Sequence, residues 1–359
     1  MKKKLMGVIA SILVLCSLTS CKNKDVFQTT EITNKITQSS VILTDRLAEN
    51  NDFSTFLKSY KSSHLVPGLL EGVIPQGVCY DETTGYLLIT GYYEDSKYPS
   101  VLMVLDEKNG KLLDYYSLKK INGEDYYGHA GGIASSQNTI YIVSDGECYT
   151  FPADTLLNEV KQSYIQFQSN FKLNTKGSFA CYSNNTLWIG DFIQSDDKER
   201  KAVKDITTLE SGETFYAYCE GYKLVDGLPD VNKINKDSTG YIPDYYMAIP
   251  EQVQGMAFTK TGKILFSTSY GRKNNSKIYV FDDIISKEAT ETKIVNGEQV
   301  DFYSCKSSLL LSEIIAPPMA EGMANTPDKI YIMFESGAEK YRCDGGKYPT
   351  ETLFVTTIE

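Results

Sequence analysis

Gln76-Gly77-Val78-Cys79-Tyr80 is followed, after a polar turn, by Tyr86-Leu87-Leu88-Ile89-Thr90, and the chain repeats this arrangement until it has been written five times. Gly131-Gly132-Ile133-Ala134 leads to Thr139-Ile140-Tyr141-Ile142-Val143, and Ser178-Phe179-Ala180-Cys181-Tyr182 to Thr186-Leu187-Trp188-Ile189-Gly190. Gln254-Gly255-Met256-Ala257-Phe258 leads to Lys263-Ile264-Leu265-Phe266-Ser267, and Glu321-Gly322-Met323-Ala324 to Lys329-Ile330-Tyr331-Ile332-Met333. Each copy is a strand of small residues, a turn, and a strand of branched and aromatic residues. A fixed element order repeated along a chain signals a repeat architecture. Four-stranded antiparallel units set radially make a β-propeller.

Working outward, a third strand is expected at 100–106, 147–152, 213–224, 276–282 and 352–359. A fourth is expected at 111–118, 164–173 and 245–249; in the fourth repeat it falls at either 300–303 or 309–315. The fifth repeat ends after its third strand, so its outer strand must come from elsewhere. His64-Leu65-Val66-Pro67-Gly68-Leu69-Leu70 is the natural donor, because proline is tolerated on an outermost strand and not in a central one. The expected fold is all-β, a propeller of five four-stranded blades closed by an N-terminal outer strand. The alternative is six blades, with residues 22–60 or 284–315 forming an irregular one.

Three organisational segments follow: a leader at 1–20, a tether with a short helical segment at 21–60, and a single propeller domain at 61–359. Lys2-Lys3-Lys4 precede an apolar run from Leu5 to Leu18, too short to span a bilayer and of the form of an export signal. Leu18-Thr19-Ser20-Cys21 then resembles the bacterial lipobox, which implies a diacylated Cys21 as the mature N-terminus on the outer side of a bacterial membrane. Two acyl chains suffice for stable anchoring. The net charge of −10 argues against a nucleic-acid partner, which calls for a basic face. Beyond Cys16 and Cys21 the cysteines are Cys79, Cys148, Cys181, Cys219, Cys305 and Cys343. None has zinc spacing, and Cys79 and Cys181, at equivalent places on inner strands, read as buried free thiols.

The strings Pro75-Gln76-Gly77, Gly128-His129-Ala130-Gly131-Gly132, Val253-Gln254-Gly255-Met256-Ala257-Phe258, Ser269-Tyr270-Gly271-Arg272 and Ala316-Pro317-Pro318-Met319 before Glu321-Gly322-Met323 carry a resemblance. Over residues 60–359 the chain resembles the β-propeller superfamily in its broad sense, the NHL, SMP-30 and lactonase-like groups. Within it the chain looks most like secreted or lipid-anchored propeller proteins of Gram-positive bacteria. The resemblance implies fold and export, and transfers no activity.

Strand order points to a site. The start of each inner strand and the end of the next strand share one face, which gathers Gln76, His129, Gln254 and Glu321 with Tyr92, Asp191, Tyr270, Arg272 and Glu335. A mouth that is varied where the strands behind it are repetitive is where function is expected. His129, among glycines that permit close approach, reads either as a base or metal ligand or as a residue tying loops together. Glu321, Glu335 and Asp191 could serve as paired carboxylates in glycoside hydrolysis or collect Ca²⁺ with Gln and carbonyl oxygens. They could equally form ion pairs with Arg272 or Lys340. No cofactor is predicted, with Ca²⁺ as the one open option. The sequence holds no nucleophile elbow, P-loop or HExxH.

Two readings of function result. One is a lipid-anchored binding protein for a glycan, peptide or cell-wall component at the channel mouth. The other is an envelope hydrolase of lactonase, esterase or glycosidase type. Both require the anchor: replacing Cys21 with Ala is expected to move the protein from the membrane pellet to the soluble fraction, and unchanged pelleting would refute lipidation.

Overall fold

The computed structural model describes residues 35–40, 42–157, 163–194, 206–234, 240–343 and 346–357. The expected leader and Cys21 lie outside the described residues. The described chain is an all-β propeller. Its inner strands are Val73–Asp81, Gly132–Ser136, Phe179–Ser183, Val253–Phe258 and Ala320–Asn325. Each touches the next, and the last returns to the first. Each pairs antiparallel with the aromatic strand that follows it in the repeat.

The continuous apolar runs of those second strands are explained by burial on both faces, since alternate side chains point to opposite sides of a sheet. Leu87 and Ile89 pack with Tyr331, Met333 and Leu353 of the last sheet. Leu88, between them, packs with Ile133, Ile140 and Ile142 of the second. Further clusters join the second sheet to the third through Tyr141 and Leu187, the third to the fourth through Trp188 and Phe266, and the fourth to the last through Leu265 and Ile332.

The expected uniform set of four-stranded blades is corrected. Three of the large sheets have four strands, one has five and one has seven, and a two-stranded hairpin is separate. The extra strands come from sequence expected to serve otherwise. The stretch 164–173 splits: Tyr164–Gln166 adds in parallel to Leu112–Lys119 of the first sheet, and Ser169–Lys172 is the outer strand of the second. Glu298–Ser304 joins the third sheet in parallel beside Tyr245–Ile249, and Glu291–Val295 follows it. Leu310–Ala316 is the outer strand of the fourth sheet. No separate blade forms from 284–315, because its strands are absorbed by their neighbours. Nor does one form from the described part of 22–60, which carries 3-10 turns and one helix, Ser54–Ser59.

The last sheet is completed from the N-terminal side by Lys61–Leu65, antiparallel to Thr352–Thr357. This donor strand lies a few residues earlier than expected, and Pro67 follows it in a turn. The described part of the tether does not stand off as a spacer. Leu47, Phe53, Phe56 and Tyr60 are buried against Phe334 and Phe354. A fully buried ion pair fastens it further. Arg342 bonds Glu351, its Nε donates to the Gly337 carbonyl at 2.7 Å, and its Nη2 donates to Ser40 Oγ at 3.1 Å. Glu351 also accepts from the Leu43 and Thr44 amides at 3.1 Å each. Cys79, Cys148, Cys181, Cys219 and Cys305 are free and buried. No described helix is long and apolar enough to cross a membrane.

Glycines set the bore of the ring. A Cβ on Gly322 would lie 2.8 Å from the Val78 backbone nitrogen, and one on Gly77 2.8 Å from that of Ile133. Backbone cannot yield as a side-chain tip does. Gly322→Ala is therefore expected to cost about 1–3 kcal/mol of stability, the usual range for overpacking, in denaturant titration. An unchanged midpoint would show that the ring has slack at this point.

Candidate functional site

The chain enters several inner strands through left-handed residues. Ala130, Gln252 and Met319 have φ of 50°, 63° and 65°, beside glycines at 72 and 177 with φ of 83° and 69°. Positive φ in a non-glycine residue costs free energy and tends to gather at functional surfaces. Here it bends the loops so that the starts of the inner strands meet the ends of the second strands.

At this mouth Glu321 is buried, and its carboxyl is hydrogen-bonded to that of Glu335. Gln254 Nε2 donates to Glu321 Oε1 at 2.9 Å, and Gln76 Nε2 to Glu335 Oε2 at 3.3 Å. Burial raises the Glu321 pKa well above the carboxylate range, and the adjacent Glu335 charge and hydrogen bond add to it. Burial likewise pushes Glu335 up to about 7, against the opposing bonds from Tyr341, Glu321 and Gln76 and the charge of Lys340. Two carboxyls in contact cannot both ionise cheaply, so one proton is shared and Glu321 is its holder.

A second line of groups extends from the pair. Tyr341 is hydrogen-bonded to Glu335 and Tyr92 to Tyr341. Tyr341 thus joins the carboxyl pair to Tyr92. Burial, then the Glu335 charge, lifts Tyr92 to about 12. The exposed His129 ring lies 4.7 Å from that of Tyr92, tilted by 58°. Arg272 places its guanidinium carbon 5.0 Å from the Tyr341 ring centre, a cation–π distance. Lys340 pairs with Glu94 at 3.0 Å.

Gln76, Tyr92, His129, Gln254, Arg272, Glu321 and Glu335 are thus linked in one network. Two expected members stand apart. Asp191 accepts from the Lys176 amide and, mainly through burial, is raised to about 6. Its carboxylate neighbour is the buried Glu220, held near 7 chiefly by burial and bonded by the Tyr222 hydroxyl. Tyr270 lines a cavity of about 670 Å³ with Tyr216, Tyr279 and Phe215. Tyr341 is the residue that sequence reasoning missed. It sits on the short helix Glu339–Cys343, in the long excursion between the second and third strands of the last repeat. That insertion was the available signal. Among the described residues, no three or more His, Cys, Asp or Glu side chains gather to hold a metal.

Because Glu335 binds its proton more tightly in the folded protein than in the unfolded chain, it favours folding most below about pH 4. That contribution fades as pH rises through about 7. Asp191 and Glu220 slope the same way, so the informative quantity is a difference. Between pH 5 and 8, wild type is expected to lose at least about 1 kcal/mol more stability than Glu335→Gln, the scale of one pKa unit. Parallel stability curves would remove the shared proton.

No family model matches the chain, and no curated protein matches it. Solved structures do. The PQQ-bound aldose sugar dehydrogenase of Streptomyces coelicolor aligns with a TM-score of 0.43 and 14% identity, over 83% of this chain and 98% of that one. Glutaminyl cyclase of Myxococcus xanthus aligns with a TM-score of 0.40 and 11% identity, over 84% and 95%. BamB from Moraxella catarrhalis gives 0.35 and 8%, over 83% and 91%. Likenesses this distant carry no argument about chemistry.

Proposed function

We propose that the chain is a lipid-anchored, extracytoplasmic propeller that binds an envelope or extracellular ligand at the mouth built around Glu321 and Glu335. A glycan is the first candidate. The carrying observation is the proton-sharing carboxyl pair framed by the Gln76 and Gln254 amides. Carboxyl, carboxamide and phenol groups in one place offer neutral donors and acceptors, the complement of sugar hydroxyls. The Tyr92 and His129 rings add faces on which a sugar could stack. This reading takes the ring as five blades, in keeping with five inner strands in cyclic contact. Its anchor and location rest on the Leu18-Thr19-Ser20-Cys21 string.

One observation favours the second reading, an envelope hydrolase. A carboxyl held near pH 7 is suited to proton transfer at neutral pH. Contact between the two carboxyls is closer than the separations of about 5–9.5 Å that glycosidases use. The pair therefore fits ester or lactone chemistry better than glycoside cleavage. Ca²⁺ belongs to this second reading and would have to displace the shared proton.

The test is calorimetric titration with soluble envelope oligosaccharides and muropeptides, with product analysis of the same mixtures. Binding without turnover is expected. His129→Ala and Glu321→Gln should each weaken it by about tenfold, or 1.4 kcal/mol, with cooperative unfolding retained. Turnover lost in Glu335→Gln would establish the hydrolase instead. Affinity that ignores both substitutions would place the ligand elsewhere.

A further inference from the structure

The axis has a second mouth at the ends of the inner strands, with a cavity of about 550 Å³, within the usual range for small-molecule sites. Tyr80, Ser135, Tyr182, Phe258 and Asn325 occupy one level of the five inner strands and all line it. The two polar members are already engaged. Asn325 bonds the Phe258 backbone in both directions, Nδ2 donating at 2.8 Å and Oδ1 accepting at 3.2 Å, and Ser135 Oγ donates to Asp81. The wall that remains is aromatic.

The charge around that wall is negative. Asp81 is fully buried and accepts from the Thr84 amide and hydroxyl at 2.9 and 2.6 Å. Among the described residues neither Asp81 nor the exposed Glu82 has a Lys or Arg partner. The Tyr80 phenol is held above its ordinary pKa by burial and then by Glu107, Glu82, Asp81 and Asp328. Glu107 is neutralised by Lys329 at 2.7 Å. Among the described residues Lys260 is the only cation lining the cavity, and it is exposed. Ser136 lines the same cavity, with its hydroxyl buried behind the wall.

We propose that this second mouth binds a small organic cation, its alkylammonium group held against Tyr80, Tyr182 and Phe258 and balanced by Asp81 and Glu82. Aromatic faces attract cations through the ring quadrupole and suit alkylated ammonium groups. A bare metal ion suits the cavity poorly, since it requires a close shell of oxygen ligands. The site is independent of the carboxyl pair at the other mouth.

The probe is choline chloride, with 3,3-dimethylbutan-1-ol as its neutral isostere, titrated into the full chain by calorimetry at low ionic strength. Saturable choline binding is expected, with the isostere at least tenfold weaker. Tyr182→Leu and Glu82→Gln should each weaken choline binding, Tyr182→Phe should retain it, and Glu321→Gln at the opposite mouth should leave it unchanged. No saturable choline binding would overturn the proposal, as would equal affinity for the isostere, which would mark a merely apolar cavity. The comparison of the two probes needs no variant, so it stands even if Tyr182→Leu fails to fold.

Discussion

The inner strands can close into a ring only because their backbones approach within reach of one another at the second position of the repeat. Gly77, Gly132, Gly255 and Gly322 each face neighbouring backbone there, at 2.4–2.8 Å from where a Cβ would sit. The third repeat breaks the rule and repairs it locally. Phe179 stands in the glycine's place, and its cross-strand partner is Gly190, where the other repeats carry Thr90, Val143, Ser267 and Met333. A Cβ on Gly190 would lie 2.2 Å from the Phe179 ring. Bulk removed from one strand is thus supplied by the other, as interior packing near crystal density demands. Hydroxyls in the partner strand tighten the same contacts: Thr90 Oγ1 donates to the Ala130 carbonyl at 2.8 Å, and Ser267 Oγ to that of Glu321 at 2.6 Å.

This constraint is what makes a carboxyl pair at the mouth tenable. Glu321 follows directly on the closely packed Ala320 and precedes Gly322, so its backbone is fixed by the ring. Glu335 ends the second strand of the last repeat and is also tied to the ring, its amide donating to the Met319 carbonyl at 3.0 Å. Tyr341 comes from an excursion that the ring does not control, and its order comes instead from the buried Arg342–Glu351 pair with Ser40, Leu43 and Thr44. Removing one partner of a buried ion pair leaves an uncompensated charge, typically at a cost of about 3–5 kcal/mol. The site therefore depends on two supports of different kinds, steric at the axis and electrostatic at the rim.

What the sequence disclosed follows the same division. The inner two strands of every repeat were legible because glycine, alternation and turn residues are local properties, and all are found where expected. Outer strands were less legible. Nothing local tells Tyr164–Gln166 to join the first sheet, or Glu298–Ser304 to lie in parallel beside Tyr245–Ile249; those pairings are chosen by whichever edge is open nearby. The site was legible to the extent that it hangs on strand ends, which brought Gln76, Gln254, Glu321 and Glu335 together. Asp191 occupies an equivalent strand end, yet it turns to Lys176 because the third sheet buries Glu220 beside it. Tyr341 has no counterpart in any other repeat, so repetition could not point to it.

The pairing of Lys61 with Val355 and Leu65 with Thr352 has a consequence for when the protein can exist at all. A ribosome releases the donor strand before the rest of the ring and its partner after it. Until Thr352–Thr357 has emerged, the final sheet has an open edge and the ring has no lock. A product interrupted before that strand is left with an unpaired edge, the feature that invites association and proteolysis. The clasp at the seam thus makes closure wait for every blade that lies between its two halves.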